Sequence, residues 1–274
     1  LSRKYALPLV VNENWSGYSK EDGNYKGVAQ KFFTRKIIAA ASRILPTSTF
    51  LKDAMLSHGL TGSYEVVPNV VNVQRFSPST TKTTHSGTRF IHVSSLTDRE
   101  KNISGLLRAF AGAVKKNTEI QLTIVGDGPE RKDLEAYSRS LGLEQHVQFS
   151  GRVTGDHLVN ALRASDALVM FSHFETFCLV IAEAFATGLP VITSAAGAIP
   201  SYMTPELGLM VPPRDENALT EALLQFASST KHFDSSVIRH FAVQHFSYEI
   251  VAEQLDRIYH EVLEHTTIDK QEIR

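Results

Sequence analysis

Cysteine is nearly absent from this sequence: Cys178 is the single one in 274 residues. That excludes an intrachain disulfide framework and a multi-thiol zinc cluster, and it fits a reducing compartment, so cytoplasm is the expected location. Long apolar runs are also missing. The longest candidate, 178–200, is broken by Glu183 and by small and polar positions, which excludes a membrane-spanning helix there and leaves at most peripheral contact with the inner face of a membrane. An excess of either charge is lacking as well. With 28 basic against 29 acidic residues and a formal net charge of −1, the chain has no whole-molecule footprint for nucleic acid. No secretory leader opens the sequence, whose first residue is Leu1, as expected of a chain that begins inside a domain. No internal repeat and no low-complexity segment is present.

What is present is a 42% hydrophobic content, enough to fill a sizeable core, in short apolar runs that alternate with amphipathic stretches. From residue 89 onward the spacing predicts strands at 90–93, 120–125, 147–149, 167–171 and 191–193. Between and after them it predicts helices at 103–114, 130–141, 157–164, 178–187 and 217–227, the second-last ended by Gly188. This alternation implies right-handed βαβ units and a doubly wound, Rossmann-like parallel sheet covered on both faces. Upstream, strands at 7–11, 44–46 and 64–67 with helices at 28–41 and 50–58 read as the tail of a second α/β unit. The Ser-, Thr- and Pro-rich stretch 76–88 reads as a linker. The expected organisation is thus a partial amino-terminal domain at 1–75, the linker, a complete domain at 89–246, and a terminal helix and tail at 247–274 that crosses back to the first domain.

The most informative stretch is 174–190, Phe-Glu-Thr-Phe-Cys-Leu-Val-Ile-Ala-Glu-Ala-Phe-Ala-Thr-Gly-Leu-Pro. A strand feeding a loop and then a helix puts this turn at the carboxyl edge of a parallel sheet, where such folds bind ligands. Free amides at Phe177, Cys178, Leu179 and Val180, with the positive end of the helix dipole, suit a diphosphate. Glu183 falls among apolar residues, where an unpaired carboxylate is costly. Read on one helix, the eight positions from Glu175 to Glu183 span about 12 Å with roughly 80° of rotation, so both carboxylates would line one sugar nucleotide: Glu175 near a hexose, Glu183 on a ribose diol. As a bare pair, the two glutamates also describe one surface carboxylate and one buried carboxylate paired with Lys or Arg.

The whole stretch resembles the E-x(7)-E region of the retaining, group 1 glycosyltransferases, the large family usually numbered four, which have the GT-B fold. The resemblance takes in Gly126-Asp127-Gly128-Pro129-Glu130, Phe149-Ser150-Gly151, Ala164-Ser165-Asp166, Gly188-Leu189-Pro190-Val191-Ile192, Gly197-Ala198-Ile199-Pro200 and Gly208-Leu209-Met210-Val211-Pro212-Pro213, in family order, and covers about 65–228. Singly these are weak motifs; as an ordered set they are specific. The resemblance implies transfer of a hexose from a nucleoside diphosphate sugar to a hydroxyl acceptor, with retention at the anomeric carbon and in polysaccharide or glycoconjugate synthesis. It implies Glu175 and Lys101 as catalytic residues, Lys101 falling where the family carries a lysine on the donor diphosphate. Donor binding is implied for Glu183, Thr176, Phe177, Cys178 and Leu179, with Arg152 and Val153 near the nucleobase. It further implies a hydroxyl acceptor of the lipid-linked glycan class and no resident cofactor or metal.

Two departures stand out. Where the family often has Gly-Arg after the first strand of this domain, this sequence has Ser94-Ser95. Ser95 brings no charge, so diphosphate stabilisation must rest on Lys101, the helix terminus or Arg99. Where many relatives place a histidine facing the donor sugar, this sequence has Asn14, which can hydrogen-bond a hydroxyl but carries no charge. These departures motivate the alternative of a noncatalytic nucleotide-sugar-binding or scaffolding subunit. His92 and His173 lack partners at metal-ligand spacing and read as polar fillers, and Cys178 as a packing residue.

Overall fold

The computed structural model describes residues 7–79, 85–228 and 232–272, with side chains as far as residue 264. Residues 80–84 of the expected linker lie outside the described residues. Two compact units divide the chain: Leu1–Val70 with His245–Arg274, and Val71–Gln244.

In the first unit β1 (Val10–Glu13) and β2 (Arg43–Pro46) pair in parallel, Val10 with Arg43 through Glu13 with Pro46, and α1 (Val28–Ala40) crosses between them. β1 begins later than the expected 7–11, and Pro8, which has no N–H to give a ladder, lies just ahead of it. Helix α2 (Thr49–Ser57) starts on Ser48, whose hydroxyl accepts from the Leu51 amide at 3.2 Å. The strand expected at 64–67 shrinks to one bridge, between Ile44 and Tyr64. Its neighbour explains why: Glu65 and Val67 donate to Ile44 and Pro46, but Pro46 has no amide to return the bond that would extend the ladder. β2 sends Ile44 to a core with Tyr18, Tyr25, Leu51 and Met55, and Leu45 to the opposite face.

The second unit is built on six parallel strands: β3 (Thr88–Val93), β4 (Ile120–Val125), β5 (Val147–Gly151), β6 (Ala167–Met170), β7 (Val191–Ser194) and β8 (Gly208–Val211). Their spatial order is β5-β4-β3-β6-β7-β8, so the chain winds outward from β3 in one direction and then from β6 in the other. All four residues of β6 and of β7 are buried, as strands covered on both faces require. The covering helices are α3 (Asp98–Lys101), α4 (Ile103–Val114), α5 (Arg131–Ser140), α6 (Asp156–Arg163), α7 (Leu179–Ala186), α8 (Glu216–Ala227) and α9 (Ser235–Phe246). α4 and α8 pack closely because Gly112 leaves room for Thr220, whose hydroxyl lies 2.9 Å from the Ala109 carbonyl. Asp215 caps α8 by accepting from the Ala218 amide at 2.9 Å.

Three elements had no expectation at the level of sequence: α3, β8 and α9. α9 holds the end of α7, since the Arg239 guanidinium donates to the carbonyls of Ala186, Val73 and Phe76 at 2.6, 3.0 and 3.1 Å, satisfying a C-terminal helix carbonyl. The last helix, α10 (Tyr248–Glu272), belongs to the first unit and packs Val251, Ile258 and Val262 against Leu45 and Val67. Among the described residues, no helix is long and apolar enough to cross a membrane.

Candidate functional site

The strand order reverses between β3 and β6, the switch point at which folds of this kind place their ligand crevice. The loop after β3 runs through Ser94–Thr97 into α3, which ends at Lys101 because Asn102 turns left-handed at φ 49°. The loop after β6 carries Glu175 and leads into α7. Lys101 and Glu175 meet across this gap: the Lys101 Nζ donates to Glu175 Oε1 at 2.7 Å, and the two side chains are 18% and 8% exposed.

Glu175 is held from several sides. The Ser172 hydroxyl also donates to Oε1 at 2.7 Å, and the Ser194 hydroxyl, at the end of β7, donates to the Ser172 carbonyl at 2.8 Å. The Glu175 carbonyl accepts from the Ala198 amide at 2.9 Å, and the His173 amide ties this loop to the Glu100 carbonyl of α3 at 2.9 Å. Burial acts to lower the Lys101 ammonium pKa, but the charge and hydrogen bond of Glu175 outweigh it, so the net shift is upward. Lys101 therefore keeps its charge beside Glu175.

Gly197 belongs to this construction. At φ +56°, a Cβ there would lie 2.0 Å from the Glu175 carbonyl oxygen, so the segment after β7 can press on the Glu175 loop only as glycine. Gly197→Ala should cost about 2 kcal/mol or more of stability, read as a melting temperature lower by several degrees; an unchanged melting temperature would contradict this packing.

Helix α7 begins at Leu179, not at Cys178. Glu175 therefore lies in the loop, four residues ahead of the helix, and the shared helical rise expected for the two glutamates does not hold. Cys178 is a left-handed N-cap at φ 67° with no side-chain bond to the helix, and the first-turn amides of Leu179 and Val180 have no partner among the described residues. Burial, then the Glu175 charge, pushes the Cys178 thiol well up, so this residue remains a protonated packing group. Thr176 is half-buried in the loop, and Phe177 is 3% exposed. The Tyr202 hydroxyl donates to the Phe177 carbonyl at 2.6 Å, which fixes the approach to the helix.

Glu183 lies one turn into α7, on the same side as Leu179, since four residues return to nearly the same face. It is partly buried, and its carboxylate has no hydrogen-bond or ion-pair partner among the described residues. Burial raises its carboxyl from the usual 4.5 to about 7. An acceptor kept unpaired in an apolar setting is what a ligand's hydroxyl donors would satisfy.

The β3 loop is braced by His92, read from the sequence as a polar filler, and by the motif 126–130. His92 is fully buried, its Nδ1 is 2.9 Å from the Val169 carbonyl and its Nε2 is 2.7 Å from the Ser94 hydroxyl. The carbonyl can only accept, so Nδ1 carries the proton, and the single Ser94 hydroxyl proton lies between two acceptors, Nε2 and the Ser95 carbonyl at 2.9 Å. Burial first, then the Lys101 charge, lowers this imidazole to about 4 despite the Val169 bond, so His92 is a neutral strut. Gly126 and Gly128 allow the β4 loop to close on the β3 loop: a Cβ at either would lie 1.8 Å from the Ser94 carbonyl oxygen or 2.5 Å from that of Leu96. Glu130 accepts from the Asp98 amide.

The other expected site residues are spread more widely. Ser95 and Arg99 are exposed on the β3 side of the crevice, and Arg152 (exposed) and Val153 (half-buried) follow β5 at the sheet edge. Asn14 is exposed in the other unit, directly after β1, and its amide donates to Glu13 Oε1 at 2.9 Å. Sequence reasoning missed Ser172, Ser194 and Tyr202; a serine closing an apolar strand gives no sign of what it will face. Among the described residues, no three His, Cys, Asp or Glu side chains cluster as metal ligands.

This architecture is the GT-B fold. It is shared with the sucrose-phosphate synthase of Thermosynechococcus elongatus, at TM-score 0.80 and 24% identity over 93% of this chain and 68% of that one. The Anabaena protein HepE, solved in complex with UDP, gives TM-score 0.80 at 20% identity over 95% of this chain and 74% of that one. Residues 79–235, more than half of the sequence, match the family described as glycosyl transferases group 1, and the chain belongs to that family. A phosphatidyl-myo-inositol mannosyltransferase of Mycobacterium leprae is 30% identical over 201 residues, 72% of this chain and 53% of that protein. The chain spans about half to three-fifths of the length of the curated relatives it matches.

Proposed function

We propose that the protein transfers a hexose from a nucleoside diphosphate sugar to a hydroxyl acceptor, with retention at the anomeric carbon. The observation that carries this reading is the Lys101–Glu175 pair at the sheet's switch point, ahead of the open N-terminus of α7, with Glu183 unpartnered one turn inside. Lys101 and the α7 amides neutralise the diphosphate as its bond to the sugar breaks. Glu183 accepts from the ribose diol, and Glu175 addresses the hexose. The bond from the anomeric carbon to the diphosphate oxygen breaks, and the electron pair leaves with the diphosphate. The acceptor oxygen bonds to that carbon on the same face and passes its proton to a departing diphosphate oxygen.

No resident cofactor or metal enters this scheme. Arg152 and Val153 would flank the nucleobase, and Ser95 and Arg99 would add polar contacts to the donor. Two relatives support the chemistry through names that join a sugar to a lipid: a phosphatidyl-myo-inositol mannosyltransferase and an alpha-monoglucosyldiacylglycerol synthase. A glycan or glycolipid acceptor at a cytoplasmic membrane face is the corresponding proposal here.

Glu175→Gln preserves the shape of the loop while removing the charge. It should lower transfer to acceptor, or hydrolysis of the donor where no acceptor is supplied, by about a hundredfold or more, with no loss of nucleoside diphosphate affinity, because Lys101 is released from its counter-charge. An equal loss of both would remove Glu175 from the sugar-handling role. The second reading, a noncatalytic binding subunit, is favoured by the absence of a cation at Ser94-Ser95. Binding of a sugar nucleotide without turnover across acceptors would select it, and turnover would reject it.

A further inference from the structure

The loop that leads into α7 is held from one side at alternate peptides. The Glu175 carbonyl accepts from the Ala198 amide at 2.9 Å, and the Phe177 carbonyl accepts from the Tyr202 hydroxyl at 2.6 Å. Both donors belong to the segment after β7, where a short 3-10 turn at Ile199–Ser201 closes with a bond from the Tyr202 amide to the Ile199 carbonyl. A trans peptide is planar, and its N–H points opposite to its C=O. Holding the carbonyls of Glu175 and Phe177 toward the β7 side therefore turns the amides of Thr176 and Cys178 the other way, to the side from which Lys101 reaches Glu175. Neither amide has a hydrogen-bond partner among the described residues.

The backbone of Cys178 belongs to the same construction. It is left-handed, at φ 67° and ψ 73°, and the helix that follows is right-handed. Successive residues of opposite hand make adjacent amides converge into a concavity that accepts an anion. A side chain makes the left-handed region costly, and such a residue persists only where its surroundings over-determine it. The Tyr202 hydrogen bond falls on the peptide just ahead of Cys178, and the Phe177 and Tyr202 rings lie 5.9 Å apart, so ring and hydroxyl together hold that peptide. Burial pushes the Tyr202 phenol well up, so it remains a donor.

We propose that Tyr202 is a positioning residue for the donor diphosphate: its hydroxyl fixes the Phe177–Cys178 peptide so that the Cys178 amide is aimed at the phosphates. Tyr202 acts through the peptide and touches neither sugar nor nucleotide. The inference rests on the donor-site reading given above and adds to it a residue from the segment after β7. A hydroxyl that served packing alone would affect stability without telling a phosphate from its absence.

Cys178 is the only cysteine in the 274 residues, so labelling the chain with ¹⁵N-cysteine gives one backbone amide resonance, that of the N–H in question. UDP, GDP, ADP and dTDP are the probes, with their nucleosides as controls that lack phosphate. One of the diphosphates should bind and move the amide proton downfield, and its nucleoside should leave it in place. Tyr202→Phe keeps the ring and removes one oxygen, so the chain should stay folded with a lower melting temperature. It should bind the same diphosphate about tenfold more weakly, with affinity for the nucleoside unchanged and the downfield shift reduced or lost. The proposal is overturned if a bound diphosphate leaves the wild-type resonance in place. It is overturned equally if Tyr202→Phe weakens nucleoside and diphosphate alike, or weakens neither. A wild-type chain that binds none of the four diphosphates would instead remove the donor site itself, and this role with it.

Discussion

Glu183→Gln is expected to stabilise the empty protein at pH 8 and, in the same molecule, to weaken nucleoside diphosphate binding by about a hundredfold. Both effects follow from one carboxylate left partly buried and unpartnered. Its folded pKa of about 7 stands above the ordinary 4.5. Between those values the folded chain holds a proton that the unfolded chain has released. Stability therefore falls as pH rises through that window and levels off above about 7, for a total of roughly 3 kcal/mol. The substitution removes that slope, so the variant should melt above wild type at pH 8 and close to it at pH 4.5. Binding moves the opposite way. Hydrogen bonds from a diol to an ionised acceptor contribute about 1.5–3 kcal/mol each, and the loss of about 2.7 kcal/mol is a hundredfold in affinity. The gap in affinity between the two proteins should widen as pH rises towards 7, because wild type must release its proton to accept the diol. A variant that is less stable than wild type at pH 8, or that binds equally well, would mean that Glu183 has a partner within the protein.

Lys101→Met should produce the largest loss of stability. The ion pair with Glu175 is largely out of water, and removing one partner leaves the other charge buried, which costs about 3–5 kcal/mol. Changing both members, Lys101→Met with Glu175→Gln, should recover most of that loss, since two neutral groups carry no uncompensated charge. Diphosphate affinity should not return with stability, because the cation that meets the phosphates is gone in both variants. Denaturation midpoints of the four proteins in this cycle, read beside their affinity for a nucleoside diphosphate, separate the two roles. Recovery of affinity in the double variant would remove Lys101 from the diphosphate site.

Much of the second unit's sheet was legible because buried parallel strands are short, apolar and separated by helices of regular period, as 120–125 and 191–193 show. The elements that went unread each lacked such a signal. β8 begins with a glycine and contains the exposed Met210, so no alternation marks it. α9 buries Ile238, Ala242 and Phe246 at four-residue spacing, but two histidines and an arginine dilute the stripe. The bridge at Tyr64 failed to become a strand through Pro46, a residue of the neighbouring strand, which local reading of 64–67 does not consult. The site was legible as a set of residues through motif order, and Lys101 in particular through its resemblance alone. Its geometry was not. Seven residues between glutamates look helical until Cys178 turns left-handed, and the serines that hold Glu175 come from two separate strand ends.

Isothermal titration of the chain with the common nucleoside diphosphates, in parallel with Glu183→Gln, tests the donor site most directly, since the residues that form it, Lys101, Glu175, Glu183 and the start of α7, all belong to the second unit. One nucleoside diphosphate should bind saturably to wild type and about a hundredfold more weakly to the variant. If no nucleoside diphosphate or sugar nucleotide binds, or if both proteins bind alike, the crevice between β3 and β6 is not a donor site.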